Sequence, residues 1–273
     1  MNRYTWRTGI LEALMILVGL AIAFPVYIMV NISLRRTNDQ TSPLVPSPDM
    51  TFENYTRAWG SAGLSQALLN SLFITVVSVA ILVVFSAMAA YALVRVTSRL
   101  STPLFYFFLI GLLLPFQIAM IPLYFTMRDI GLLGSLWGLI LFYVGERISF
   151  SIFLFAGFIR ALPRDYEEAA WIDGASTNRA FWTVVFPLLR PITWTVVILN
   201  AIHAWNDLLT PMLYLSGTPN VTVPVAILRF VDQYVTNWPL IFAGLVIGVT
   251  PILLAFFLLQ RSVIKGFASG LKG

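Results

Sequence analysis

Long apolar runs separated by short polar stretches are the dominant pattern along this chain. A transmembrane helix needs roughly 20 mostly apolar residues, and six segments reach that length. The predicted spans are Gly9–Ile32, Leu68–Val94, Pro103–Thr126, Trp137–Ile159, Ile192–Leu215 and Pro239–Gln260. The pattern therefore predicts an all-α integral membrane protein with six transmembrane helices, forming a single transmembrane domain over residues 1–273.

The composition supports a membrane protein and narrows its chemistry. The chain is 59% hydrophobic and 11% charged, with a mean hydropathy of +0.85, whereas a soluble domain carries about 25% charged residues. It has no cysteine and one histidine, which excludes disulfides, thiolate sites and histidine clusters. We expect no metal site.

The first apolar run also resembles a signal peptide. Arg3 and Arg7 precede it, and Ala21-Ile22-Ala23 fits a cleavage pattern. However, the run continues to Ile32, beyond the roughly 7–15 residues of a signal's apolar region. An uncleaved span is the favoured interpretation.

Basic residues are unevenly divided between the two sets of loops. Eleven lie in the set that includes both chain ends and five in the other, with Arg147 inside the fourth span. The richer set is Arg3, Arg7, Arg95, Arg99, Arg160, Arg164, Arg179, Arg190, Arg261, Lys265 and Lys272. Because basic loops stay in the cytoplasm, both termini and the 160–191 loop are predicted to be cytoplasmic.

The 160–191 loop has the signals of a helix-turn-helix. Asp165 stands three residues before Glu168, an acidic version of the capping box. Gly174 is placed to end the first helix in a left-handed conformation. Ser176 can cap a second helix, which Pro187 would end.

One face of the first predicted helix suits a protein partner. Four residues share it at helical spacing: Tyr166, Ala169, Ala170 and Asp173. The acidic pair Glu167-Glu168 can meet basic residues of that partner. The alternative is an amphipathic helix resting on lipid headgroups, but an acidic helix is repelled by the anionic inner leaflet.

These residues resemble a known loop. Glu168-Ala169-Ala170, then Gly174, then Val184-x-Phe186-Pro187 resembles the "EAA" cytoplasmic loop of permease subunits in bacterial ABC importers, E-A-A-x(3)-G-x(9)-I-x-L-P, with Val and Phe in place of Ile and Leu. Other stretches resemble the carbohydrate branch of that family, the MalG-like subunits: TFENYTRAW, NSLFIT, MIPLYFTMRDIGLLGSLWGLIL, AWNDLLTPMLYL and KGFASGLKG.

The resemblance implies a permease subunit that forms a translocation pathway for a carbohydrate. The implied partners are a dimeric ABC ATPase, a second homologous permease, an extracytoplasmic sugar-binding protein and the lipid bilayer, with no nucleic acid. The implied ATPase-coupling residues are Glu167, Glu168, Ala169, Ala170, Asp173 and Gly174. The outer segments Thr37–Gln66 and Ser216–Trp238, which lack an apolar period, are expected to meet the binding protein. A flexible, glycine-rich tail at 265–273 would reach the ATPase.

The chain itself lacks the motif for ATP chemistry. A P-loop needs a lysine directly after a glycine, and neither Lys265 nor Lys272 follows one. We therefore expect no enzyme activity and no bound cofactor, with ATP and Mg used by the partner ATPase.

A secondary, ion-coupled transporter is the alternative. It would need ionisable groups inside the membrane, and the chain offers Glu12, Glu146, Arg147, His203 and Asp207. His203 and Asp207 are four residues apart on the fifth span and could pair.

Polar and aromatic residues beside prolines suggest where a sugar passes. Trp205, Asn206 and Asp207 precede Pro211, and Gln117 lies between Pro115 and Pro122. These four residues are candidates for the substrate path. Alternatively, their polar groups hydrogen-bond one helix to another.

Overall fold

All regular secondary structure in the described part of the chain is helical. A computed structural model describes residues 6–60, 63–96, 98–113, 115–233 and 237–270, with backbone alone for 232–233, 259 and 261–270. The helices are α1 Trp6–Ser33, α2 Glu53–Gly60, α3 Leu64–Arg95, α4 Ser101–Leu113, α5 Phe116–Asp129, α6 Leu136–Ala161, α7 Asp165–Ile172, α8 Thr177–Ala180, α9 Phe186–Leu188, α10 Arg190–Asn206, α11 Leu209–Tyr214, α12 Val223–Gln233 and α13 Trp238–Gly270. A π-helical turn, Phe181–Val185, joins α8 to α9.

Four helices are long and apolar enough to cross a bilayer: α1, α3, α6 and the Trp238–Leu258 part of α13. Two bent pairs meet the same test together, α4 with α5 at 100° and Thr177–Leu188 with α10 at 75°. The described residues therefore hold four to six candidate spans, and the all-helical membrane class is confirmed.

The third and fifth predicted spans are each interrupted. Between α4 and α5, Pro115 is extended at φ −62° and ψ 116°, and a proline has no N–H with which to continue a helix. The fifth span breaks at Asp207, which is extended at ψ 124°, four residues before Pro211. Pro211 lies inside α11, near its start, where a missing N–H costs no helical hydrogen bond.

Two compact units can be distinguished, Met1–Ser65 with Ala226–Thr250, and Gln66–Val225 with Pro251–Gly273. In the larger unit, small residues of α3 and large apolar ones of α6 form a dense core. Ala87, Ala90, Phe155 and Ile159 have no exposed surface, and they belong to one apolar cluster. Close packing of this kind makes the core resist deformation.

The smaller unit contains helices in segments that were expected to be irregular. α2 and α12 lie within the two outer segments, so the expectation that these segments have no apolar period was wrong. Ala58 of α2, Phe230 of α12 and Leu240 of α13 are buried together in an apolar cluster. The helices α2 and α12 have only 8 and 11 residues, so each contains roughly two or three turns, and the periodic signal in the sequence is correspondingly weak.

Arg35 organises the loop that follows α1. Arg35 is 3% exposed, and its guanidinium donates to the carbonyl oxygens of Thr41, Ser42 and Val45. The Asn31 amide donates to the carbonyls of Pro43 and Val45 at 2.7 and 3.0 Å. The loop is thus closed onto side chains at the end of α1.

The C-terminal end of the chain differs from what the sequence predicted. The backbone stays helical in α13 as far as Gly270, whereas a flexible tail over 265–273 was expected. Residues 271–273 lie outside the described residues, as does Arg3, so the predicted contributions of Arg3 and Lys272 to orientation are not located.

Candidate functional site

The first helix of the 160–191 loop begins at Asp165, the residue that was predicted to be its cap. Pro163 favours extended backbone at Leu162, which has φ −82° and ψ 126°, and α7 then follows with Arg164 at its N-cap position. The Arg164 carbonyl accepts from the amides of Glu167 and Glu168 at 2.9 and 3.1 Å, and no side chain caps the helix. The predicted capping box was wrong because Asp165 is already helical. Its carboxylate still lies in the first turn, where the helix dipole favours it.

The turn between α7 and α8 has the predicted geometry. Gly174 is left-handed at φ +81°, and its amide donates to the Trp171 carbonyl at 3.0 Å. The Ala175 amide donates to the Ala170 carbonyl at 2.9 Å, which completes a Schellman motif. The Ser176 hydroxyl accepts from the Arg179 amide, as expected of an N-cap.

The end of the second helix was predicted wrongly. Pro187 lies within α9 rather than ending the helix, and the chain bends by 75° only between Leu188 and Arg190. Pro187 is near the start of its helix, following the π turn. It supplies no amide to the backbone hydrogen bonds that continue from the π turn.

A groove of about 330 Å³ runs between α7 and the segment that follows the turn. The predicted face of α7 forms one wall, and Arg179, Thr183 and Val184 contribute to the other. The α7 wall is Tyr166, Ala169, Ala170 and Asp173. The carboxylate of Asp173 and the guanidinium of Arg179 therefore line the same groove, together with the two alanines. Glu168 is exposed but does not line this groove.

The acidic pair of α7 is divided between two environments. Glu167 is 1% exposed, and its Oε1 accepts from Arg95 Nε at 2.7 Å. Tyr91 donates to Glu167 Oε2 at 3.3 Å. The expectation that both carboxylates meet a partner was wrong for Glu167, which is engaged within the chain. Adjacent helical residues point about 100° apart, which lets Glu167 face the interior of the chain while Glu168 stays exposed.

A second polar arrangement joins α6 to α10, and we call it the polar seam. Its members are Tyr143, Glu146, Arg147 and Ser151 of α6, Asn200 and His203 of α10, and Asp207 directly after α10. Tyr143 donates to Asp207 at 3.0 Å. His203 Nε2 and Glu146 Oε2 are 3.1 Å apart.

The third contact of the seam is made by Arg147, whose Nε donates to Asn200 Oδ1 at 3.0 Å. Asn200 in turn donates to Ser151 at 3.1 Å. Residue numbers rise on α6 as they fall on α10, so the two helices run antiparallel along the seam.

The four predicted substrate-path residues lie in different surroundings. Gln117 is exposed at the start of α5. Trp205 is buried and lines an apolar cavity of about 470 Å³. Asn206 is exposed and donates to the Ile202 carbonyl at 2.9 Å. Asp207 belongs to the polar seam, and its Oδ1 accepts weakly from the Thr210 amide at 3.4 Å.

Comparison with known proteins gives a consistent family. Residues 82–268 match the model of the family described as "Binding-protein-dependent transport system inner membrane component". The chain is 36% identical over 230 residues to the probable starch degradation products transport system permease protein AmyC of Thermoanaerobacterium thermosulfurigenes, covering 84% of each chain. It is 32% identical to the melibiose/raffinose/stachyose import permease protein MelC of Bacillus subtilis, over 96% of this chain and 95% of MelC.

A solved structure shares the fold. The chain matches a bacterial ABC transporter involved in the import of the acidic polysaccharide alginate with a TM-score of 0.83 and 23% identity, over 96% of this chain and 99% of the other. None of these relatives supports an ion-coupled secondary transporter, and His203 hydrogen-bonds to Glu146 rather than to Asp207. The family model, the two permeases and the EAA-type loop agree, and the chain belongs to the family of inner membrane components of binding-protein-dependent transport systems.

Proposed function

We propose that this chain is the MalG-like permease subunit of a carbohydrate ABC importer. With a second, homologous permease it would form the pathway for a sugar that an extracytoplasmic binding protein delivers. Support for a carbohydrate comes from AmyC and MelC, whose names give starch degradation products and melibiose, raffinose and stachyose. The proposal includes six spans, with both termini and the 160–191 loop in the cytoplasm, as the distribution of basic residues indicates.

The observation that carries the proposal is the folded 160–191 loop. A left-handed Gly174 fixes the turn, and the groove beside it presents Asp173 and Arg179 at one opening. Such a surface suits charged groups on a protein partner. In our proposal the partner is a separate ABC ATPase, which uses ATP and Mg and contacts this groove and the exposed Glu168.

We assign the substrate path to the neighbourhood of the α10–α11 break. Ionisable residues inside a membrane face the bundle interior or a water-filled path, and transporter sites often lie where helices are discontinuous. Asn206 and Gln117 are both exposed and offer amide groups to a sugar. Asp207 would position the break, because it bonds to Tyr143. Trp205 packs in an apolar wall.

Reconstitution tests this function. The chain, its companion permease and the ATPase would be placed in proteoliposomes, and uptake of labelled disaccharides from the binding protein would be measured. We expect uptake to require ATP and to persist when a protonophore is present. Uptake that a protonophore abolishes and that continues without ATP would contradict the proposal.

A further inference from the structure

The two halves of the 160–191 loop are attached to the rest of the larger unit in different ways. In the second half, Phe181 and Val185 are buried in the main apolar cluster. In the first half, all eight residues of α7 are described and only Glu167 is buried. The single buried side chain of α7 is thus a carboxylate, and the helix has no buried apolar face. What that carboxylate contacts therefore carries much of the attachment of α7, beside the contacts of the helix with α8 and the π-helical turn.

Arg95 is the main contact, and it joins three elements. It is the last residue of α3, and its side chain is 9% exposed. Its Nε donates to Glu167 Oε1 at 2.7 Å, and its Nη2 donates to the Leu162 carbonyl at 2.7 Å. Leu162 ends α6. One guanidinium thus connects the ends of two candidate spans to the start of the loop.

The hydrogen bonds of Arg95 prevent α7 from sliding relative to the end of α3. An apolar contact can shift along a surface at little cost, whereas two short charge-assisted hydrogen bonds from a planar guanidinium fix both distance and direction. Separating the pair would leave two charges buried without a partner, which is far more costly than losing an exposed ion pair. Any displacement of α7 is therefore expected to move the end of α3 with it.

Helix α3 is suited to transmit that displacement into the membrane. α3 has 32 residues and is roughly 48 Å long at 1.5 Å per residue, which exceeds the thickness of a bilayer core of about 30 Å. It also contributes Ala87 and Ala90 to the dense core against α6. A movement that enters at Arg95 reaches the packed interior through one continuous helix.

We propose that the Arg95–Glu167 pair is the joint through which movement of the 160–191 loop enters the membrane helices, with Arg95 as its positioning residue. The inference rests on the proposed function, since it takes the loop to be moved by an ATPase. It assigns Glu167 to the interior of this chain and leaves the ATPase contact to Glu168 and the groove. Loss of the joint separates ATP hydrolysis from transport without releasing the ATPase.

The test uses the complete transporter in proteoliposomes and measures ATP hydrolysed per sugar imported. Arg95→Gln is expected to raise this ratio at least tenfold, while ATPase co-purification and the hydrolysis rate stay within twofold of the unmodified complex. Arg95→Lys keeps the charge for Glu167 but cannot make both hydrogen bonds, so it should raise the ratio by a smaller factor. Arg99→Gln is the matched control, because Arg99 is an exposed arginine four residues further on, and it should leave the ratio unchanged.

The outcomes separate this inference from the proposed function. An unchanged ratio in Arg95→Gln with the ATPase retained overturns the joint, and so does loss of the ATPase from that variant, which would make Arg95 a docking residue. If Arg95→Gln does not insert, Arg95→Lys decides in the same way. Restoration of the ratio by the reversed pair, Arg95→Glu with Glu167→Arg, supports the joint. Failure of the unmodified chain to bind an ATPase at all refutes the proposed function instead.

Discussion

His203 is hydrogen-bonded across to Glu146 of α6, with Nε2 and Oε2 3.1 Å apart, although Asp207 is only one turn further along the chain. Asp207 accepts from Tyr143 instead, at 3.0 Å. The two acidic groups are thus used for contacts between helices rather than within α10. Three of the candidate relay residues, Glu146, His203 and Asp207, therefore connect α6 to α10 and to the break that follows it.

Asn200 is expected to be the most sensitive position of the polar seam. It is 1% exposed and bonds to both Arg147 and Ser151. Asn200→Ala would leave those buried groups without this partner, and we expect a loss of about 1–3 kcal/mol in the free energy of unfolding. Denaturation of the purified chain in detergent would measure it.

Asn206→Ala is the control for that variant. Asn206 is exposed and bonds to its own helix, so its replacement should change the free energy of unfolding by less than about 0.5 kcal/mol. Equal losses from the two variants would show that the seam does not depend on Asn200.

Glu168→Lys is expected to release the ATPase. The residue is exposed in the first turn of α7, so the change reverses a charge on the surface and places a cation at the positive end of a helix. Co-purification of the ATPase and sugar uptake should both fall at least tenfold, with membrane insertion unchanged.

Glu53→Lys provides the comparison for the charge reversal. Glu53 is an exposed acidic residue in the first turn of α2, another eight-residue helix. It lies outside the 160–191 loop, and its variant should retain the ATPase. Retention of the ATPase by Glu168→Lys as well would place the contact elsewhere.

Gly174→Ala tests the turn without crowding. No atom lies within 4 Å of the position that a β-carbon would take, so the cost comes from the left-handed backbone, about 1–2 kcal/mol. We expect the free energy of unfolding to fall by that amount and uptake to fall with it. Gly157→Ala also meets no atom within 4 Å but lies inside α6, where alanine should be neutral or stabilising. A smaller loss at Gly174 than at Gly157 would contradict this account of the turn.

Reporter fusions check the orientation. A reporter joined after Arg99 should be cytoplasmic, and one joined after Gly217 should be extracytoplasmic, because basic loops are retained inside. A cytoplasmic signal after Gly217 would mean that the chain is inserted the other way or has a different number of spans.

The sequence predicted those features that depend on strong local signals. Gly174 and Ser176 were placed correctly because a left-handed residue and an N-cap have few alternatives. Apolar runs located α3 and α6 within a few residues. Pro115 was noted only as a neighbour of Gln117, and the 100° bend between α4 and α5 depends on contacts that no local pattern contains.

The sequence did not predict which side chains pair over long distances along the chain. Arg95 was counted only as a basic loop residue, and its partner lies 72 positions away. Likewise, the pairing of His203 with Asp207 was reasonable from their spacing, yet side chains 57 and 64 positions distant bind the two residues. The partner of a buried charged group is determined by how the helices pack in three dimensions. The periodicity of apolar residues in the sequence does not predict that packing.

The loop that Arg35 closes has a kinetic consequence. The Arg35 guanidinium and the Asn31 amide already bind four carbonyls of this loop, those of Thr41, Ser42, Pro43 and Val45. These residues therefore need less ordering when another molecule binds them. Ordering an interface on contact reduces affinity and slows association. A protein that binds this loop meets a preorganised surface. Its association rate is therefore governed by diffusion and charge rather than by folding of the loop.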